Sequence, residues 1–214
     1  MPKPKVIVFD LDGVILDSNK ITATLFKTSF PTATEELYKQ ALCGNYFEAK
    51  ERLGISELIE TQEEKEARLA KYALEKLECA FFDGITELVK ELHGKQYSLA
   101  INTSSRENNC LPSLQKINID KFFDFIGTKE VSKSKVEKFK MIIEKYQVEP
   151  KDIIFVTDTL GDLREAQISR IPTIAVTWGI HDRSYFTSEP HDNLIAIVDT
   201  VAELREKILE GVKI

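Results

Sequence analysis

Asp10 and Asp12 stand one residue apart where an apolar run over residues 5–9 ends, and Gly13 follows them. Two carboxylates this close repel each other, so a metal, a shared proton or a substrate must reconcile them. Mg²⁺ held through one or two carboxylates plus a phosphate is the common solution. Three later segments offer residue types that suit the same chemistry. Residues 102–106 read Asn-Thr-Ser-Ser-Arg, Lys133 and Lys135 flank Ser134, and residues 157–162 read Thr-Asp-Thr-Leu-Gly-Asp. With a phosphomonoester as substrate, one carboxylate can attack phosphorus. Its neighbour can protonate the leaving alkoxide and then activate water. The remaining acids can hold Mg²⁺, while a lysine and a hydroxyl neutralise the equatorial oxygens.

The elements that must position these groups follow from hydrophobic patterning. Val6, Ile7, Val8 and Phe9 are β-branched or aromatic, as in a short strand buried on both faces. Further strands are predicted at 97–101, 122–126, 153–156, 173–177 and 194–198. Helices are predicted at 85–93, 106–117, 136–146, 162–169 and 201–209. Strands that alternate with helices imply an α/β fold, a Rossmann-like parallel sheet core with helices on both faces. Residues 19–79 break the alternation and read as helices over 21–30, 34–42, 46–53 and 62–78. The last carries Ala67, Leu69, Ala70, Ala73, Leu74 and Leu77 as an apolar stripe, with an acidic face assigned to solvent. Residues 1–17 and 81–214 are therefore expected to form the core, and 18–80 an inserted all-helical cap.

In open parallel sheets, chemistry lies beyond the carboxyl ends of the strands. Asp10 and Asp12, Thr103 to Arg106, and Asp158 to Asp162 all fall at such ends. Singly, each has a plainer explanation: an acidic turn, a strand-end turn, or acids capping a helix N-terminus. Their occurrence at successive strand ends favours one shared site.

In this order the segments resemble the four motifs of the haloacid dehalogenase-like superfamily. Asp10-Leu-Asp12-Gly-Val resembles the first motif and Leu99-Ala-Ile-Asn-Thr103 the second. A lysine is the third, and Asp158-x-x-x-Asp162 resembles the fourth. Residues 82–88, 176–179 and 199–204 resemble the return from cap to core and the last strands and helix. A helical insertion straight after the first motif resembles the small-capped phosphoglycolate phosphatase-like and β-phosphoglucomutase-like members. The resemblance implies Asp10 as nucleophile and Asp12 as general acid/base that also offers its carbonyl to Mg²⁺. It implies Asp158 as a metal ligand, Asp162 beside the metal orienting its water, and Thr103 on the phosphoryl group. Thr157 stands where the family often has Gly. Spacing allows either Lys133 or Lys135 as the phosphate-neutralising lysine; Lys135, immediately before the helix, is favoured.

The implied activity is Mg²⁺-dependent hydrolysis of a small phosphorylated metabolite through an aspartyl-phosphate. Three alternatives stay open: a sugar-phosphate mutase of the β-phosphoglucomutase type, a phosphonatase using a cap lysine among Lys20, Lys27, Lys39 and Lys50, and a non-catalytic binding protein on the same scaffold. An acid at position 12 argues against a dehalogenase. Thr103, Ser104, Ser105 and Arg106 are candidate substrate contacts, and Asn45, Tyr46 and Arg52 could face the core from the cap. The 29 basic and 35 acidic residues give a net charge of −6, which argues against nucleic acid or an anionic membrane as partner. Cys43, Cys79 and Cys110 lack disulfide or zinc spacing and read as reduced thiols. With no apolar stretch near the roughly 20 residues of a membrane span, the cytoplasm is the expected location. The pattern carries no signal for oligomeric state.

Overall fold

The structure is a computed structural model that describes residues 5–210. Six parallel strands form one sheet in the order β3-β2-β1-β4-β5-β6. They are β1 (Val6–Phe9), β2 (Ser98–Asn102), β3 (Phe125–Gly127), β4 (Ile153–Thr157), β5 (Thr173–Val176) and β6 (Leu194–Val198). β1 pairs with β2 on one side and β4 on the other, so strand order reverses beside it. A crevice opens beyond the strand ends at such a reversal. Asp10 is the residue that leaves β1 there.

Alternation along β1 explains the two-sided cover. Ile7 and Phe9 pack with α5 (Ile85–Gly94), α6 (Glu107–Lys116) and α10 (Val201–Glu210), through Leu88, Leu92, Leu114 and Leu204. Val6 and Val8 face the other way, against Phe139 and Ile142 of α7 (Lys135–Tyr146) and Ala166 of α8 (Leu160–Ile168). Each such side chain removed from water contributes about 1.5–3 kcal/mol. The expected α/β class, a parallel sheet with helices on both faces, is what the chain forms.

Between β1 and α5 lie α1 (Asn19–Ser29), α2 (Glu35–Ala41), α3 (Ala49–Leu53) and α4 (Gln62–Leu77). Thr34 caps α2 through the Leu37 N–H, and Thr61 with Glu64 forms a capping box on α4. Residues of α1, α2, α3 and the segments just after them form a separate cluster around Phe26, Phe30, Tyr38, Ala41, Ala49 and Ile55. On that cluster we base the proposal that residues 18–80 act as a cap. The two chain crossings run side by side: the Asp17 N–H bonds the Ala80 carbonyl, and the Phe82 N–H bonds that of Ile15.

Three elements depart from the pattern reading. β3 begins at Phe125, because residues 120–122 close a 3₁₀ turn before the strand. α8 begins two residues early, at Leu160, with the Thr159 side chain accepting the Asp162 N–H. The stripe predicted on α4 is rotated: Leu74 is 69% exposed, while Tyr72 and Lys76 are buried. A short helix at Arg183–Phe186 (α9) had no counterpart in the pattern. Among the described residues, no helix is long and apolar enough to cross a membrane.

The inserted helices dock end-on. The carbonyl of Leu42, just past α2, accepts the Gly161 N–H at 2.9 Å, so the negative end of α2 meets the positive end of α8. Next to this contact, the fully buried His181 accepts the Leu160 N–H at Nδ1 and presents Nε2 to the Lys39 carbonyl at 3.0 Å. Burial holds its pKa down at about 4, so the ring is neutral. A Cβ on Gly161 would lie 2.6–2.7 Å from backbone atoms of Gly44 and Leu42. Gly161→Ala is therefore expected to push the helices apart and lower stability by about 1–3 kcal/mol. Urea unfolding checks this, and an unchanged midpoint would mean that the docking does not need the close approach.

Candidate active site

Asp10 is 6% exposed, and its Oδ1 accepts the Leu11 N–H at 2.8 Å. Its Oδ2 lies 3.0 Å from Nζ of Lys135, which also donates to Asp162 Oδ2 at 2.7 Å. Lys135 is the first residue of α7, directly after the N-cap Ser134. Its backbone is fixed at both ends, by the Glu165 carboxylate on its N–H and by Asn102 on its carbonyl. Lys133 goes elsewhere: its side chain is exposed, with Nζ 5.8 Å from the centre of the Phe47 ring. Of the two lysines, Lys135 is the one that reaches the carboxylates.

Burial shapes the electrostatics. Asp10 is pushed well up by desolvation, against Lys135, and the neighbouring Asp162 and Asp158 push it further. Desolvation also presses on Asp162, but the Lys135 ammonium and hydrogen bonds outweigh it and hold that carboxyl low. One bond comes from Thr157 Oγ1 at 2.9 Å, so the residue that replaces the family's glycine serves as a donor to Asp162. Lys135 is held above its ordinary value by the two carboxylates despite its burial.

Asp158 leaves β4 in a slot made by two glycines. A Cβ on Gly13, whose φ is +74°, or on Gly179 would collide with its side chain. Its Oδ2 accepts the Ile180 N–H at 2.9 Å, while its buried Oδ1 has no partner. Desolvation and Asp162 raise it to about 7. An orphaned buried carboxylate oxygen beside Asp10 is the donor chemistry that suits a hard cation held by one or two carboxylates. The four acids Asp10, Asp12, Asp158 and Asp162 do not form a closed cage: among the described residues, no three His, Cys, Asp or Glu side chains are grouped as a ligand set. Asp10 and Asp158 are the side chains here that could hold Mg²⁺, with substrate and water oxygens completing its shell.

Thr103 is 1% exposed. Its Oγ1 accepts the Ser105 N–H at 3.0 Å, which leaves the hydroxyl proton free to donate. Its carbonyl accepts Nζ of the buried Lys138 at 2.6 Å. Ser104 is half-buried, and Arg106 sits at the N-cap of α6. The Ser105 hydroxyl, expected on substrate, is engaged by protein instead: it donates to Asp12 Oδ2 at 2.5 Å. Asn45 bonds the Lys133 carbonyl and Glu165, and Arg52 closes the end of α2 on the carbonyls of Ala41 and Gln40.

Lys76 is the residue that pattern reading missed. It projects from α4, is fully buried, and its Nζ lies 2.5 and 2.7 Å from the two oxygens of Asp12 and 2.6 Å from Ser105 Oγ. Ser18 Oγ adds a donor to Asp12 at 2.5 Å. Burial opposes the charge on Asp12, but Lys76 and the two hydroxyls win and lower its pKa. The helix assigned to solvent therefore supplies the partner of the expected acid/base. The available signal was the i, i+4 spacing of Tyr72 and Lys76 alongside Leu69 and Ala73.

Removing one partner of a buried pair typically costs about 3–5 kcal/mol. With the Asp12 side chain 24% exposed, Lys76→Met is expected to cost nearer about 2 kcal/mol. A double-mutant cycle with Asp12→Asn checks it, and additive losses would mean that the two groups are uncoupled.

Comparison with known proteins gives the family. The sequence profile of haloacid dehalogenase-like hydrolases matches residues 7–176. The chain is 26% identical to a protein named tyrosine-protein kinase PtkA from Mycobacterium tuberculosis, over 96% of this chain and 72% of that one. It is 25% identical to a phosphoglycolate phosphatase from Vibrio vulnificus, over 96% of each chain. A crystal structure described as a putative phosphoglycolate phosphatase from Lactobacillus plantarum superposes with a TM-score of 0.75 at 18% identity, covering 95% of this chain and 99% of that one. With the profile spanning most of its length, the chain belongs to the haloacid dehalogenase-like hydrolase family.

Proposed function

We propose that the chain hydrolyses a small phosphorylated metabolite through an aspartyl-phosphate on Asp10, with Mg²⁺ as cofactor. The observation that carries this reading is the buried Lys135 ammonium between Asp10 and Asp162, next to the unpartnered Oδ1 of Asp158. A phosphoryl group brought to Asp10 Oδ2 would meet the Lys135 ammonium, with the free Thr103 hydroxyl proton at the neighbouring strand end as a second donor. Bound Mg²⁺ would supply positive charge that lets the crowded carboxylates ionise together and offsets charge on the phosphoryl oxygens.

The residues divide the labour in two steps. Asp10 Oδ2 attacks phosphorus while Asp12 delivers a proton to the departing oxygen. Asp12 then takes a proton from water as that water attacks the phosphoryl group and frees Asp10. Lys76, Ser18 and Ser105 hold the Asp12 carboxylate in place; they are positioning residues. To deliver a proton, Asp12 must first gain one in competition with Lys76, so this ion pair bears directly on the proton transfer. The relatives named as phosphatases support hydrolysis.

Phosphate release from an aryl phosphate is expected to require added Mg²⁺ and to fall by about a thousandfold or more in Asp10→Asn. Asp12→Asn is expected to slow alkyl phosphates by about 10²–10⁴ and aryl phosphates less, because a phenolate leaves without a proton. Full activity in Asp10→Asn, or phosphate found on an added protein instead of in solution, would overturn the reading.

A further inference from the structure

Phe47, in the 3₁₀ turn Tyr46–Glu48 of the inserted helices, carries two lysines of the core on its ring. Lys129 Nζ is 5.2 Å from the ring centre and Lys133 Nζ 5.8 Å. Arg106 and Lys65 are close enough that both, with Lys133, push the Lys129 ammonium down in the same direction as its burial. Two ammonium groups thus share one ring, with Arg106 and Lys65 in the same electrostatic neighbourhood, in a chain whose net charge is −6. Among the described residues none of the four has a carboxylate within ion-pair distance, whereas Lys76 and Lys135 are both paired. Glu130 is the acid of this stretch; its carboxylate accepts the Glu107 N–H at the start of α6 and offsets part of the positive charge felt by Lys129.

The cluster is tied to the reaction site at both ends. The Lys129 N–H donates to the Ser105 carbonyl at 2.8 Å, and the Ser105 hydroxyl sits on Asp12. Six residues on, Lys135 reaches Asp10. The segment between them therefore flanks the path of a group that departs toward Asp12. Cation–π contact with Phe47 orders the two ammonium groups without neutralising them, and like charges gathered this way are stabilised by an anion.

We propose that Lys129 and Lys133, ordered by Phe47 and backed by Arg106 and Lys65, seat a second oxyanion on the leaving portion of the substrate. The substrate class is then a phosphomonoester whose alcohol carries a carboxylate or a further phosphoryl group. This rests on the hydrolytic reading above and adds the chemistry of the group that leaves.

Three esters of one length test it: propyl phosphate, 3-phosphonooxypropanoate and propane-1,3-diyl bisphosphate. The expected result is a kcat/KM at least tenfold higher for one or both anion-bearing esters than for propyl phosphate, expressed in KM. The two anion-bearing arms tell carboxylate from phosphoryl. In Lys129→Met/Lys133→Met, the ratio is expected to collapse to within about twofold of one. Because the ratio is taken within each variant, a folding defect lowers both rates and leaves it standing. Equal kcat/KM for all three esters in the parent, or a ratio that survives the double substitution, overturns the proposal. A uniform fall across the three would assign the lysines to holding the inserted helices alone, and also overturns it. Kd ratios for 3-phosphonopropanoate against propylphosphonate decide the matter independently: no turnover of any ester would sink the hydrolytic reading, while an anion preference lost in the double variant would still support the seat.

Discussion

A lysine ammonium held out of water between two carboxylates is the constraint around which the rest of this molecule is arranged. Desolvating three ionisable groups is costly, and the cost is offset only where geometry is good and the remaining lone pairs are satisfied. The fold meets those conditions by drawing on separate elements. β1 delivers Asp10, α7 delivers Lys135 at its first turn, and β4 with α8 delivers Asp162 and Thr157. Parallel pairing of β1 with β4 brings the two acids together. Sheet order thus has an electrostatic outcome as well as a packing one.

A second ion pair, Lys76 with Asp12, makes the inserted helices part of the same electrostatic system. It spans 64 residues of sequence and joins the strand-end of the core to a helix of the inserted segment. The geometry gives Asp12 three donors on two oxygens, from Lys76, Ser18 and Ser105. A carboxylate so saturated is held in position and kept anionic. The chemistry proposed for it needs both states, so the neighbourhood of α4 bears on each half of the reaction.

The sheet and much of the site were readable because their signals are local. A buried parallel strand is a short run of Val, Ile and Phe, and the residue after it is polar where the chain surfaces; Asp10, Thr103 and Asp158 were visible for that reason. Lys135 could be preferred to Lys133 because it stands immediately before the predicted helix. Lys76 was not visible. Its partner is distant in sequence, a lysine scores as polar in any periodicity, and alanines on α4 create a competing stripe that the fold leaves partly exposed. Ser105 was found as a residue of the site, but its hydroxyl faces Asp12, a contact that depends on how two loops meet. The late start of β3 has a similar origin: Phe122 is apolar enough for a strand, yet its backbone closes a turn with Ile119.

The paired crossings at Asp17 and Ala80 carry a mechanical consequence. Two hydrogen-bonded strands side by side resist shear and twist more than they resist bending, so they behave as a leaf hinge with one soft axis. Lys76, Phe47 and Leu42 stand at different distances from the axis and move through arcs of different length for the same rotation. Their contacts with Asp12, with the lysine pair and with Gly161 are all reached through that one paired crossing, so the place where the segment joins the sheet bears on all three.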